Sequence, residues 1–344
     1  MTELEEKTNH SAMSRFSLRD FAPLISLFVI VIFFTLTNDE FLTFGRLRLV
    51  LQQGAVLAIV STGLTFVLLC AEIDLSVGML ALWTACACGV LYEQPFAAGE
   101  GGQGDISVTT LVVVIVVPLV SSLLLGLISG LLTVSSRLPS FIITLAMMNI
   151  ADGLSKTLTQ SEKFSVPEVL KEIGNGRLKV TDDFYLPFSA ILAAAVMILG
   201  HIVLQHTRFG RYVYMTGGNR EAARLAGVRT GWIVIACLAI CAVTAGLGGL
   251  VNAGRLGSVT LDQNGELLLS AVACVVLGGT SLFGGEGGIG RTVIGVLTFS
   301  VLGVGLSGLI SEVDFLEDRM RPLLMGVVLM TALVINGFLS RKSD

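Results

Sequence analysis

Charge is what this sequence has least of. Only 14% of its 344 residues are Asp, Glu, Lys or Arg, while 53% are apolar, and the mean hydropathy is +0.83. A globular protein is ordinarily about a quarter charged, so most of this chain has lipid as its solvent and a soluble globular enzyme is excluded. The 22 basic residues against 26 acidic ones, for a net charge of −4, provide no basic footprint for nucleic acid. Histidine is scarce and scattered, at His10, His201 and His206, so no metal cluster assembles from sequence. Cys70, Cys86, Cys88, Cys237, Cys241 and Cys274 all fall inside apolar runs and read as buried small hydrophobes. Cys237 and Cys241 share a helix face at i, i+4, which leaves a metal or disulfide role as the lesser alternative, since two thiols fall short of the ligand number zinc needs. A Gly-x4-Gly-Lys-Ser/Thr loop is missing, and so is any Ser/His/Asp or Cys/His set. The chain is therefore expected to bind no cofactor and to perform no chemistry, its energy coming from a partner or an ion gradient.

Residues 1–20 are polar and carry Glu3, Glu5, Glu6, Arg15 and Arg19 with no small-residue cleavage site, which reads as a short cytoplasmic tail. Beyond it, a ruler of about 20 apolar residues marks ten candidate spans: 21–37, 50–70, 75–92, 108–134, 139–158, 185–205, 231–252, 266–283, 289–310 and 321–339. Gly, Pro or polar residues interrupt the second, third, fifth and eighth. The expected fold is an all-α polytopic membrane protein of about ten helices, some broken or re-entrant. It forms one domain over 21–339, with a second short tail at 340–344.

Basic residues set the orientation. With the N-terminus inside, the loop 206–230 is also inside, and it holds Arg208, Arg211, Arg220, Arg224 and Arg229 against Glu221. The loop 93–107 falls outside with Glu93, Glu100 and Asp105 and no base, as does 311–320 with four acids against Arg319. Arg341 and Lys342 then lie inside, so an even number of spans with both ends cytoplasmic fits best. Glycine is dense in the C-terminal half (Gly246, Gly248, Gly249, Gly254, Gly295, Gly303, Gly305, Gly308), as helices packed closely in lipid require. Gly285, Gly287 and Gly290 satisfy Gly-x-Gly-x-x-Gly, but an apolar run precedes them and a span follows. A tight cytoplasmic turn is the better reading than a dinucleotide fingerprint.

Ionisable and amide groups at membrane depth must face a cavity or a partner. Asp74, in EIDLSVG, either caps the third span together with Ser76 or acts directly in transport. Asn149, Asp152, Asn252 and Glu266 are candidates for path lining or for interhelical and interfacial bonding. The fifth span opens at Pro139 and carries Thr144, Asn149, Asp152 and Gly153, so it is either a kinked structural helix or a broken one that gates a cavity. In residues 216–228, TGGNREAARLAGV, Asn219 can cap a helix of about two turns and Gly227 can end it. Such a helix suits a groove in a soluble motor subunit; the alternative is a loop lying on the headgroups.

Four blocks, STGLTFVLLCAEIDLSVG (61–78), LPSFIITLAMMNIADGL (138–154), GGNREAARLAGV (217–228) and AVACVVLGGTSLFGGEGGIGRTVIG (271–295), resemble the permeases of ribose, galactose and xylose type ATP-binding-cassette (ABC) importers, in the same order. The resemblance covers about residues 45–338. It implies a type II ABC importer permease fold, two permease subunits around a path (two copies or two relatives), cytoplasmic ABC ATPases that use ATP-Mg, and an external sugar-binding protein. It further implies that Gly218, Asn219, Glu221, Ala222, Leu225, Ala226 and Gly227 form a coupling helix. The cargo it implies is a monosaccharide or polyol, in a bacterial cytoplasmic (inner) membrane. Asp74, Ser76, Thr144, Asn149, Asn252 and Glu266 are the candidate path or gate residues. Two departures stand out. Leu268, Leu269 and Ser270 replace a common Glu-Leu-Asp triplet, and Ala71 and Glu72 replace two glycines before IDLSVG. A permease for nucleosides or another small polar solute of the same superfamily is the alternative, and an ion-coupled secondary transporter the more distant one.

Overall fold

The computed structural model describes residues 18–38, 40–93, 107–182, 184–312, 318–328 and 330–331. Its helices are α1 (Leu18–Thr37), α2 (Phe44–Leu69), α3 (Val77–Glu93), α4 (Val108–Ser136), α5 (Ser140–Thr159), α6 (Glu168–Asn175), α7 (Phe188–His206), α8 (Arg208–Gly218), α9 (Arg220–Leu225), α10 (Thr230–Leu256), α11 (Leu267–Leu277) and α12 (Ile289–Glu312). Among the described residues, α2, α4, α5, α7, α10 and α12 are each long and apolar enough to cross a membrane, and the apolar parts of α1, α3 and α11 are shorter. Nine of the ten expected segments thus correspond to helices, with bounds that agree within six residues. Residues 321–328 of the tenth are helical, and most of its remainder lies outside the described residues.

The layering follows from where each helix carries its apolar groups. Both α2 and α10 are apolar all round and buried along most of their length, which makes them the centre of the bundle. Against α10 pack α2, α3, α4 and α6; against α2 pack α7, α11 and α12. Missing side chains permit this closeness. A Cβ at Gly63 would fall on Thr244 of α10, and one at Gly249 would fall on the Ala81 carbonyl of α3. In lipid such dispersion contact, rather than water exclusion, holds helices together. By contrast α4, α5 and α7 leave most of their apolar side chains on the outside.

Two segments depart from the expected pattern. The polar residues of α5 interrupt its linear apolar run but not its helix, which is continuous for 20 residues. They fall on two sides of it, Ser140, Thr144, Ser155 and Thr159 being buried and Asn149 and Lys156 exposed. The eighth segment is the eleven-residue α11, roughly 16 Å long and too short to span. It stops where the chain turns at Gly279 (φ 89°), and the adjoining Gly278 packs so closely on the Arg291 carbonyl that a Cβ would strike it.

The ends of α10, about 40 Å apart, carry different structures. At its C-terminal end a small cap forms. There β1 (Phe164–Ser165) pairs antiparallel with β4 (Ser258–Val259), and β2 (Arg177–Lys179) pairs with β3 (Tyr185–Pro187). α6 is fastened to α10 by the Asn175 amide, which donates to Gly254 O and Arg255 O at 3.1 and 2.9 Å. At the N-terminal end lie α8, α9, the loop 278–288 and the irregular segment 70–76.

Candidate functional site: a broken segment, a polar helix face and an exposed helix

Between α2 and α3 the backbone leaves the helix, and its polar groups need partners that lipid cannot supply. α5 provides them. The Ser140 hydroxyl accepts from Ile73 N (2.9 Å), and the Thr144 hydroxyl accepts from Leu75 N (3.0 Å) while donating to Ile73 O (3.2 Å). Asp74 Oδ1 accepts from Ser76 N and Ser76 Oγ at 2.9 and 2.6 Å, just ahead of α3. Asp74, Ser76 and Thr144 are all buried, so three of the expected site residues meet in one network that shapes the break. Cys237 and Cys241 of α10 flank it: the Cys237 and Cys70 sulfurs are 3.3 Å apart, and the Cys241 thiol reaches Asp74. All six cysteines are free and buried. Among the described residues no three His, Cys, Asp or Glu side chains converge as metal ligands.

The outward side of α5 is different in character. Asn149 is exposed, with Nδ2 donating to Leu145 O (2.9 Å), and Asp152 pairs with Lys156 at 2.6 Å on the surface of the bundle. Gly153, beside them, has nothing within 4 Å of a notional Cβ. An ion pair and an amide on the rim of an apolar bundle belong to water or to protein rather than to hydrocarbon. The other two expected path residues lie on other elements. Asn252, near the end of α10, donates to Asn264 Oδ1 (2.9 Å) and accepts from Arg255 Nη2 (3.0 Å), tying the 257–266 loop to the helix. Glu266 is exposed immediately before α11.

The coupling candidate is a well-defined helix. Asn219 caps α9 by accepting from Ala222 N at 2.9 Å. Gly227, at φ 84°, ends it, with Gly227 N donating to Arg224 O and Val228 N to Ala223 O, the pattern of a Schellman motif. Ala223 is buried and anchors the helix, whereas Glu221, Ala222, Leu225 and Ala226 face out, Leu225 being 83% exposed. Beside it the tip of the 278–288 loop exposes Leu282 and Phe283. The sequence does not single out Phe283, because the apolar run 266–283 reads as a span, at whose end an apolar side chain is ordinary.

These pieces are joined backbone to backbone. Gly285 N donates to Leu69 O at 3.0 Å, a Cβ at Gly217 would fall on that same carbonyl, and one at Gly285 would crowd Gly218. Tyr214 Oη donates to Gly287 O (3.0 Å) and accepts from Gln205 Nε2 (3.1 Å). Burial pushes the Tyr214 phenol up from its ordinary value, so it remains a donor throughout the neutral range. Arg220, at the start of α9, reaches across to Glu72 in the broken segment, Nη2 to Oε1 2.8 Å. These contacts connect α9 to the segment 70–76 and, through it, to α5.

A family model described as "branched-chain amino acid transport system / permease component" matches residues 47–333. The ribose import permease of Escherichia coli strain K12 is 33% identical over 285 residues, covering 83% of this chain and 84% of that protein. The ribose import permease of Haemophilus influenzae is 29% identical, covering 98% and 99%. The xylose transport system permease of Escherichia coli strain K12 is 28% identical, covering 86% and 87%. No solved structure matches the chain.

Proposed function

The chain belongs to the branched-chain amino acid transport system / permease component family, and from that premise we propose that it is the membrane subunit of an ATP-driven importer for a monosaccharide or polyol. The relatives named for ribose and xylose supply the solute class. The character of the α5 face agrees with it. Asp152 and Lys156 neutralise each other, and Asn149 keeps its amide oxygen and one N–H without a partner among the described residues. A polar but uncharged lining suits an uncharged polyhydroxylated solute, and we assign this face to the path between two permease subunits. The buried acids Asp74 and Glu72 are committed to Ser76 and Arg220, which leaves neither for ion coupling.

The observation that carries the importer reading is the exposed α9 with Phe283 beside it, joined by backbone contacts to the broken segment. Apolar side chains presented at a soluble end mark a protein contact, and an ABC ATPase is the partner that would pull on them. Closure of the ATPases around ATP-Mg then tilts α9 and opens the path alternately to each side, while an external binding protein meets the cap formed by α6 and the two small sheets. In this scheme α9 and both chain termini are cytoplasmic, in a bacterial inner membrane.

The test is copurification in mild detergent, followed by reconstitution. An ABC ATPase should accompany the chain, be lost when residues 217–228 are replaced by a glycine-serine stretch, and be required with ATP for uptake of a sugar from a panel of pentoses, hexoses and polyols. Transport by this chain alone in liposomes without ATP would overturn the reading in favour of a secondary transporter.

A further inference from the structure

A cavity of about 810 Å³ opens where α4 ends and α10 begins, between the α4–α5 turn and α9. Its lining is mixed. It combines four arginines, Arg137, Arg220, Arg224 and Arg229, with the apolar side chains of Leu131, Val134, Leu138, Trp232 and Ile235. Glu72 is the single acid among the lining residues and is taken by Arg220, and Arg224 lies 3.8 Å from Glu221 outside the cavity. Arg137 and Arg229 have no ion pair among the described residues, so the cavity carries an excess of positive charge. The lining residue Leu131 belongs to the outer face of α4, where Leu124, Ile128 and Leu131 are exposed at the spacing of one helix face. Trp232, 64% exposed, stands at the level where that face gives way to arginine, the depth interfacial tryptophans occupy. A basic hollow between helix ends with an apolar slope running out of it matches a molecule with an anionic head and apolar tails.

We propose that this cavity binds one anionic phospholipid, its headgroup phosphate between Arg137 and Arg229 and its chains along the α4 face beside Trp232. A soluble anion would use the arginines but not the slope, and an acidic segment of a partner protein would not need an entrance from the hydrocarbon. The lipid bridges the α4–α5 turn to the start of α10 and so steadies the floor on which α9 moves. The inference rests on the membrane-spanning fold and is independent of which solute is carried.

Trp232 is itself the reporter. In a Trp83→Phe background it is the remaining tryptophan of the chain. The full-length protein is reconstituted into phosphatidylcholine vesicles containing a minority of dibrominated lipid, either phosphatidylglycerol or phosphatidylcholine. Brominated phosphatidylglycerol should quench Trp232 at much lower mole fraction than brominated phosphatidylcholine, each arginine contributing about a fivefold preference. Arg137→Gln and Arg229→Gln should each reduce the preference, and the double variant should abolish it. Arg208→Gln with Arg211→Gln, on the exposed surface of α8 at the same end, should leave it unchanged. Millimolar inorganic phosphate should not compete. Equal quenching by the two lipids overturns the proposal, as do equal losses in the α8 control or displacement by free phosphate. Because the readout needs no transport, its failure leaves the importer reading untouched.

Discussion

Ala71 adopts a left-handed backbone conformation at φ 58°, a region that disfavours an L side chain by about 1–2 kcal/mol. Glycine, which the resemblance implies at this position, adopts that conformation freely, so the alanine here is strained. Ala71→Gly should therefore stabilise the protein by a net amount of about 0.5–1 kcal/mol once the extra freedom of glycine in the unfolded chain is offset. A lower thermal midpoint in detergent would contradict this. The neighbouring departure, Glu72, exchanges backbone freedom for a buried carboxylate held by the half-exposed Arg220. The two partners are not equivalent. Arg220→Gln strands a buried charge and should cost about 2 kcal/mol, less than the 3–5 typical of a fully buried pair because water reaches the arginine. Glu72→Gln leaves a solvated arginine and should cost about half as much or less; a double-mutant cycle in denaturant measures both, and equal losses would disprove the asymmetry. Thr144 supplies a donor and an acceptor to the broken backbone. Thr144→Val should cost about 1–3 kcal/mol for the stranded groups, whereas Thr144→Ser should retain most of the stability. Valine and serine behaving alike in thermal unfolding would remove the hydroxyl from the account.

At the scale of elements, α9 shows what a few residues of local chemistry can specify. A capping asparagine, an alanine-rich turn and a terminal glycine are short-range signals, and Asn219 and Gly227 act at the ends they indicate. What α9 does depends on its exposed side. Glu221→Lys reverses a charge on that side while Ala223 still anchors the helix, so transport should fall at least tenfold with the thermal midpoint unchanged within a degree or two, surface substitutions being nearly neutral to stability. Normal uptake would detach α9 from coupling. The helix α5 teaches the converse lesson. Its polar residues read as a break when taken in linear order. In three dimensions they divide into a buried row that holds segment 70–76 and an outward row that we assign to the path. Only the neighbouring α3 and the broken segment decide which row each residue joins.

For the whole molecule, the two ends of the bundle differ in kind: arginine-rich α8 and α9 at one, a cap with nearly balanced charge at the other. The positive-inside rule then predicts that Leu225→Cys is labelled by a membrane-impermeant maleimide only after cells are permeabilised, and that Val180→Cys, exposed in the cap, is labelled in intact cells. The six native cysteines are buried and contribute little background; the opposite labelling pattern would invert the proposed topology.

Hydropathy, glycine content and end signals are properties of windows of about 20 residues or fewer, so the sequence alone determined that the chain lives in lipid, where nine of its helices run, and where α9 begins and ends. It could not tell which groups would surround Asp74. That was decided by α5 and α10 arriving beside it, with Ser140 bonding Ile73 across 67 positions of chain. The ion pair between Glu72 and Arg220, the meeting of Gly217, Gly285 and Leu69 and the basic hollow beside Trp232 have the same origin. Each joins groups far apart in the chain, and a buried polar group takes whichever partner packing brings within reach.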